Sequence, residues 1–165
     1  MSERERLGEP ARGERERLGE LARRLAGRPE LWEPHVRHDP EERVFHELDC
    51  GDGAGAWLIC WMPGHDTGFH DHDGSSGFVV VLRGVVREER LCVGGPPISA
   101  IYGAGDTFDF GPHDIHRVRH AGTGPTVTLH VYSPRLRGMG AYAISPDGRL
   151  ARHRLPEGAA LAPLP

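Results

Sequence analysis

His70-Asp71-His72 is the segment of this chain best equipped for chemistry. Residues two apart on a strand project to the same side, so both imidazoles can face one space. A first-row metal ion there accepts one ring nitrogen from each at about 2.1 Å. The surroundings suit a built site better than a surface pair. Gly64 and Gly68 precede it and Gly84 follows at strand distance. A second cluster, Pro112-His113-Asp114-Ile115-His116, comes after a further strand. The chain has 11 His in 165 residues and no His run; several fall in a glycine-rich middle section. His35, His38, His65, His120 and His153 carry no argument. Thr128, His130 and Tyr132 alternate along one strand and share its face.

The elements that must position these residues are mostly strands. Residues 43–48, 56–62, 77–83, 86–93, 98–102, 106–110, 116–120, 126–132 and 142–144 read as short strands, separated by turn residues such as Asp52-Gly53, Pro63-Gly64, Asp73-Gly74, Gly94-Gly95 and Asp147-Gly148. Many short strands at regular spacing predict an all-β sandwich or barrel, and two halves of a jelly roll would use them all. Residues 1–42 differ. Gly8, Pro10 and Gly13 break up a charged leader, then Leu18, Leu21, Ala22 and Leu25 recur at helical spacing over 14–26. Gly27 and Pro29 stop that helix, and a short second one begins at Pro29. The expected organisation is a helical segment over 1–42 packing on a barrel over 43–155, with a loosely packed tail over 156–165.

Composition bounds the function classes. At 165 residues and 18.1 kDa, the chain has the length of one domain. The 20 basic and 24 acidic residues give a net charge of -4, which does not suit nucleic acid or an anionic membrane as the main partner. The longest apolar run, 78–82, is far too short to span a membrane. The charged start has no apolar h-region, so the cytoplasm is the expected location. Cys50, Cys60 and Cys92 are odd in number and lack CxxC spacing, which suits neither a disulfide scaffold nor a structural zinc site.

On these residues the sequence resembles the cupin superfamily. That family's first motif is a glycine, a loop, His-x-His and a strand ending in glycine, matched here from Gly64 to Gly84. Its second is a Gly-Asp turn, a strand and Pro-x-x-x-His, matched by Gly105-Asp106 through Pro112 to His116. The resemblance implies a cupin jelly-roll β-barrel. It makes His116 the third metal ligand beside His70 and His72, and His113 a loop residue. The glutamate usual in the first motif is missing; Asp73-Gly74-Ser75-Ser76-Gly77 follows His72. Three neutral ligands leave a divalent ion its full charge, which suits an anionic thiolate and leaves a position open for oxygen.

In this respect the chain is similar to the cysteine dioxygenase family of thiol dioxygenases, in its bacterial form. The likeness takes in Cys60-Trp61, His116-Arg117-Val118 and Leu129-His130-Val131-Tyr132-Ser133-Pro134, and covers roughly residues 45–142. It implies that Thr128, His130 and Tyr132 form a relay in which the Tyr hydroxyl, oriented by the His, faces substrate and oxygen. Gly77 stands where animal members carry a Cys joined to the relay Tyr. The family's carboxylate-binding Arg has no counterpart. The stretch reads Arg43-Val44-Phe45-His46-Glu47-Leu48, which puts His46 or Glu47 at that place. Neither offers the bidentate fork of Arg. Glu47 turned into the pocket would favour an ammonium group. If it points outward, Arg43, Arg83 or Arg135 is left to bind a carboxylate.

The resemblance therefore implies a mononuclear Fe(II) enzyme with O2 as co-substrate, converting cysteine or a closely related small thiol to a sulfinate, as a monomer or homodimer. Two other functions fit the same residues. One is a relative recruited to a different oxidation of cysteine or to another sulfur compound, as the altered clamp suggests. The other is a non-catalytic cupin that binds a ligand at a vestigial site.

Overall fold

The computed structural model describes residues 12–51 and 53–165. Gly8, Pro10 and Asp52, expected as chain breakers and turn, lie outside the described residues. The first helix among the described residues, α1 (Arg12–Ala26), starts two residues earlier than its apolar spacing indicates, so Gly13 falls inside its first turn. Leu18, Leu21, Ala22 and Leu25 form the buried face, as the spacing predicts. The backbone N–H of Gly27 donates to the Arg23 carbonyl (2.9 Å) and closes the helix. Pro29 opens α2 (Pro29–Trp32), where its missing N–H costs nothing. The Trp32 indole N–H donates to the Ala26 carbonyl (3.2 Å), satisfying one of the acceptors that the end of α1 leaves free.

Among the described residues eleven strands follow: β1 (Val44–Leu48), β2 (Gly55–Trp61), β3 (His70–Asp71), β4 (Ser76–Arg83), β5 (Val85–Arg90), β6 (Ile98–Gly103), β7 (Thr107–Phe110), β8 (His116–His120), β9 (Thr126–Ser133), β10 (Gly138–Ile144) and β11 (Leu150–Pro156). They form two antiparallel sheets of a jelly roll, in the orders β1-β2-β9-β4-β7 and β11-β10-β3-β8-β5-β6. Two strands escape the periodicity reading. β3 has only two residues, and β11 is an exposed edge with no buried face to impose alternation. Among the described residues no helix is long and apolar enough to cross a membrane.

The first sheet is covered on both sides, which explains why β4 reads as a continuous apolar run and why β9 is buried on both faces although its residue types alternate. Outward, Ala56, Leu58, Cys60, Phe78, Val80, Val127, Leu129 and Val131 pack under α1 and Trp32. Inward, Trp61, Val79, Val81 and Tyr132 join Val86, Phe108, Phe110 and Val118 from other strands. The strand period of two therefore sends Thr128, His130 and Tyr132 into the barrel while their neighbours hold the helix.

Gly77 marks where this interior is tightest. A Cβ at Gly77 would lie 2.0 Å from Phe110 Cζ and 2.4 Å from Cε2. Gly77 is also the cross-strand partner of Tyr132. Phe110 thus fills the space that a side chain at this position would need. Gly77→Ala is expected to destabilise the protein by about 1–3 kcal/mol through overpacking, read by urea unfolding. An unchanged midpoint would mean that the Phe110 ring swings aside freely.

Candidate metal centre

β3 is short, but it is gripped from both sides. His70 is paired with His116 on β8, and His70 and Asp71 are paired with Ala141 and Gly140 on β10. Asp71, between the two histidines, points away from them and works as an anchor. Its carboxylate accepts from Arg152 Nε (2.7 Å) and Nη2 (2.9 Å), from the Tyr142 hydroxyl (2.6 Å), and from the backbone N–H of Gly140 (3.1 Å) and Asp73 (3.0 Å). Burial works against ionisation here, but the bonds from Arg152 and Tyr142 outweigh it and hold the carboxyl well below its ordinary value.

With Asp71 tied outward, His70 and His72 turn inward and meet His116. Ring centroids are 4.8 Å apart for His70–His72, 4.7 Å for His70–His116 and 5.0 Å for His72–His116. One nitrogen from each lies within 4.8 Å of the others, the spacing that one ion could bridge. All three rings are buried. Burial lowers His70 to about 4 and takes His72 and His116 well below the usual imidazole value, so all three are neutral near pH 7 with lone pairs to offer. His70 Nδ1–H donates to the Gly68 carbonyl (3.0 Å), and His116 Nδ1–H donates to Glu88 Oε1 (2.9 Å), leaving each Nε2 as the free donor atom. His72 Nδ1 is buried with no hydrogen-bond partner among the described residues. Phe110 stacks on the His72 ring at 4.2 Å and fixes its plane. Neutral buried imidazoles and an orphaned nitrogen fit a divalent metal ion. His113, by contrast, is exposed.

Beside the cluster a chain of hydrogen bonds runs down the inner face of the first sheet. Trp61 Nε1–H donates to Thr128 Oγ1 (2.8 Å), Thr128 Oγ1 lies 2.9 Å from His130 Nε2, and His130 Nδ1 lies 3.3 Å from the Tyr132 hydroxyl. Indole can only donate, so the Thr128 hydroxyl spends a lone pair on Trp61 and has its proton free for His130 Nε2. A Thr128 proton given to Nε2 would put the His130 proton on Nδ1, facing the Tyr132 oxygen. In that arrangement the Tyr132 proton would be free to point elsewhere. Burial pushes the Tyr132 hydroxyl up, so it stays a protonated donor at working pH. Its ring lies 5.4 Å from that of His72.

Burial, with smaller repulsions from His70 and Arg43, lowers His130 to about 3 from 6.5. A lowered folded-state value means that the unfolded chain binds more protons below pH 6.5, so stability falls as the solution is acidified. The stability advantage of the native protein over His130→Gln should therefore shrink steadily between about pH 7 and pH 4. Stepped-pH urea unfolding reads this, and an advantage that grew on acidification would contradict a neutral buried ring.

Next to Tyr132 opens a cleft walled by Arg43, Phe45, Trp57, Ile59, Tyr132 and the segment Gly158–Leu161. Tyr132 belongs both to this cleft and to the cluster's surroundings. The tail is thus placed against the cleft and does not hang free. Arg43 Nη2–H donates to the Leu161 carbonyl, Arg43 Nη1–H to the Asp66 carbonyl (2.6 Å), and the guanidinium lies 5.1 Å above the Trp61 ring. Arg43, just before β1, and Phe45 line this cleft, whereas strand alternation turns His46 away from the face of Phe45. His46 stacks on His35 at 3.8 Å and does not reach the cleft. Glu47 is ion-paired to Arg135 (2.7 Å) and lines a separate hollow. Arg83 pairs with Glu33 over Trp32, on the helix side. Of the three candidate arginines, only Arg43 is placed with Tyr132.

A model of the family described as cysteine dioxygenase type I matches residues 14–145. The chain belongs to that family. Its match to the cysteine dioxygenase type 1 of Danio rerio is 29% identical over 119 residues, 64% of this chain and 58% of that protein. The Homo sapiens cysteine dioxygenase type 1 is 25% identical over 118 residues with the same shares, so this chain spans little more than half the length of these relatives. The solved structure of TT1209 from Thermus thermophilus superposes with a TM-score of 0.55 at 22% identity, covering 62% of this chain and 93% of that one, a likeness of fold. The cysteine dioxygenase type I match takes in the three histidines and the whole hydrogen-bonded chain from Trp61 to Tyr132. Membership in this family implies a metal cofactor, which the neutral three-imidazole cluster suits.

Proposed function

We propose that this chain is an Fe(II)-dependent dioxygenase that converts a small carboxylated thiol of cysteine type to its sulfinate. The observation that carries this reading is the place of Tyr132, whose ring lies 5.4 Å from that of His72 in the neutral three-imidazole cluster and which also lines a cleft containing one half-buried guanidinium, Arg43. His70, His72 and His116 would hold the ion. Fe(II) held there supplies the Lewis acidity that favours a thiolate and the redox capacity that O2 requires. The reaction balances without an external reductant, because the electrons that reduce both oxygen atoms come from the sulfur.

The chain's own residues bind and orient. Arg43 offers its fork to the substrate carboxylate, taking the part that the residues at 46 and 47 do not play. Tyr132 donates its hydroxyl proton toward the substrate's polar end, and His130 and Thr128 fix the direction of that donation. Phe45, Trp57 and Ile59 keep the cleft apolar, which strengthens both contacts.

A thiol panel with O2 uptake tests substrate class. Cysteine and 3-mercaptopropionate should be oxidised in preference to cysteamine, which lacks a carboxylate. Arg43→Gln should raise KM for the carboxylated thiols by about 10- to 100-fold, the worth of a charge-assisted hydrogen bond, with iron content unchanged. Preference for cysteamine would return recognition to Glu47. No consumption of any thiol would favour a non-catalytic cupin.

A further inference from the structure

We propose that Glu88 is a positioning residue for the metal centre, fixing the tautomer of His116 and strengthening it as an electron donor. The proposal rests on the reading of His70, His72 and His116 as metal ligands and adds a fourth residue that touches none of the reacting atoms. Glu88 sits on β5, 2% exposed, with its Oε1 2.9 Å from His116 Nδ1 and 3.1 Å from Arg90 Nε. A carboxylate only accepts, so both contacts are donations to it. The His116 proton is therefore on Nδ1, and Nε2 is the atom turned toward the other two rings.

The three imidazoles are thereby made unequal. Among the described residues, His116 leans on a charged acceptor, His70 on a neutral carbonyl, and His72 on nothing. A negative acceptor behind a ligating imidazole pulls its N–H and raises the basicity of the opposite nitrogen. The carboxylate missing from the first motif is in this way returned to the site one bond further out. It tempers the charge on the ion while leaving the coordination position free.

A purely structural role explains the geometry less well. Arg90 already donates to the Asp109 carbonyl and lies 3.5 Å from Asp114, so it has partners without Glu88. A buried ion pair gains little stability over apolar packing, whereas one whose acid also holds a ligand has a reason to be buried.

Two variants test this at pH near 8, with Fe(II) affinity from chelator competition and the Fe(III)/Fe(II) midpoint potential as readouts. Glu88→Gln keeps an acceptor but loses the charge, and should bind Fe(II) about 10- to 100-fold more weakly with a more positive potential. Arg90→Gln removes the guanidinium that competes for the same oxygen, and should shift the potential the opposite way. It carries the test alone if Glu88→Gln fails to fold. Affinity and potential unmoved in the folded variants, or both potentials moving in one direction, would overturn the proposal. Failure of the native protein to bind Fe(II) at all would instead overturn the metal reading beneath it.

Discussion

His72→Leu is expected to abolish metal binding and turnover while leaving the metal-free protein at least as stable as the native one. The reason lies in how each imidazole is held. Removing His116 would strand the buried Glu88 carboxylate, and removing His70 would strip the Gly68 carbonyl of its donor. His72 has no such obligation, since its buried Nδ1 bonds to nothing among the described residues. An unpaired buried polar group costs about 1–3 kcal/mol, and a leucine of similar volume under Phe110 relieves it. The catalytic loss should exceed about 10³-fold, because the ion's several kcal/mol of charge stabilisation goes with it. Metal content by elemental analysis, turnover by O2 uptake and urea unfolding of the metal-free forms separate the effects. Full metal content in this variant would remove His72 from the ligand set.

Tyr132→Phe should do the reverse, keeping the metal and losing turnover by roughly 10- to 1000-fold. The ring stays, so its packing against Phe110 and the inner core is preserved. Only the hydroxyl goes, and with it the end of the hydrogen-bonded chain from Trp61. The loss should fall mainly on kcat, since the carboxylate contact proposed for Arg43 would remain. Unchanged turnover would remove the relay from the mechanism.

Some of this is legible in the sequence, and the rest is hidden for physical reasons. The His-x-His pair and the alternation of Thr128, His130 and Tyr132 are visible because the strand period alone decides which side chains share a face. The apolar stripe of α1 is visible in the same way. Glu88 is not, since Arg87-Glu88-Glu89-Arg90 has the texture of a solvated strand edge, and only the pairing of β5 with β8 reveals that its face is covered. The register of β1 is equally hidden. The chemistry of residues 43–48 turns on which of two faces looks inward, and that depends on pairing with β2 across a turn. Hence His46 is a candidate by sequence although it stacks on His35 just after α2, and Arg43 is one of three arginines until the fold separates them. The tail gives no periodic signal because it is held by Arg43 and by Pro163 against Gly68, contacts about a hundred residues apart in sequence.

The most direct test of the central claim is the isotopic composition of the product. Iron-loaded protein supplied with cysteine or 3-mercaptopropionate under ¹⁸O2 should yield a sulfinate in which both oxygen atoms are labelled, with one O2 consumed per thiol. A disulfide product with unlabelled sulfur, or thiol left intact while the site holds iron, would contradict it.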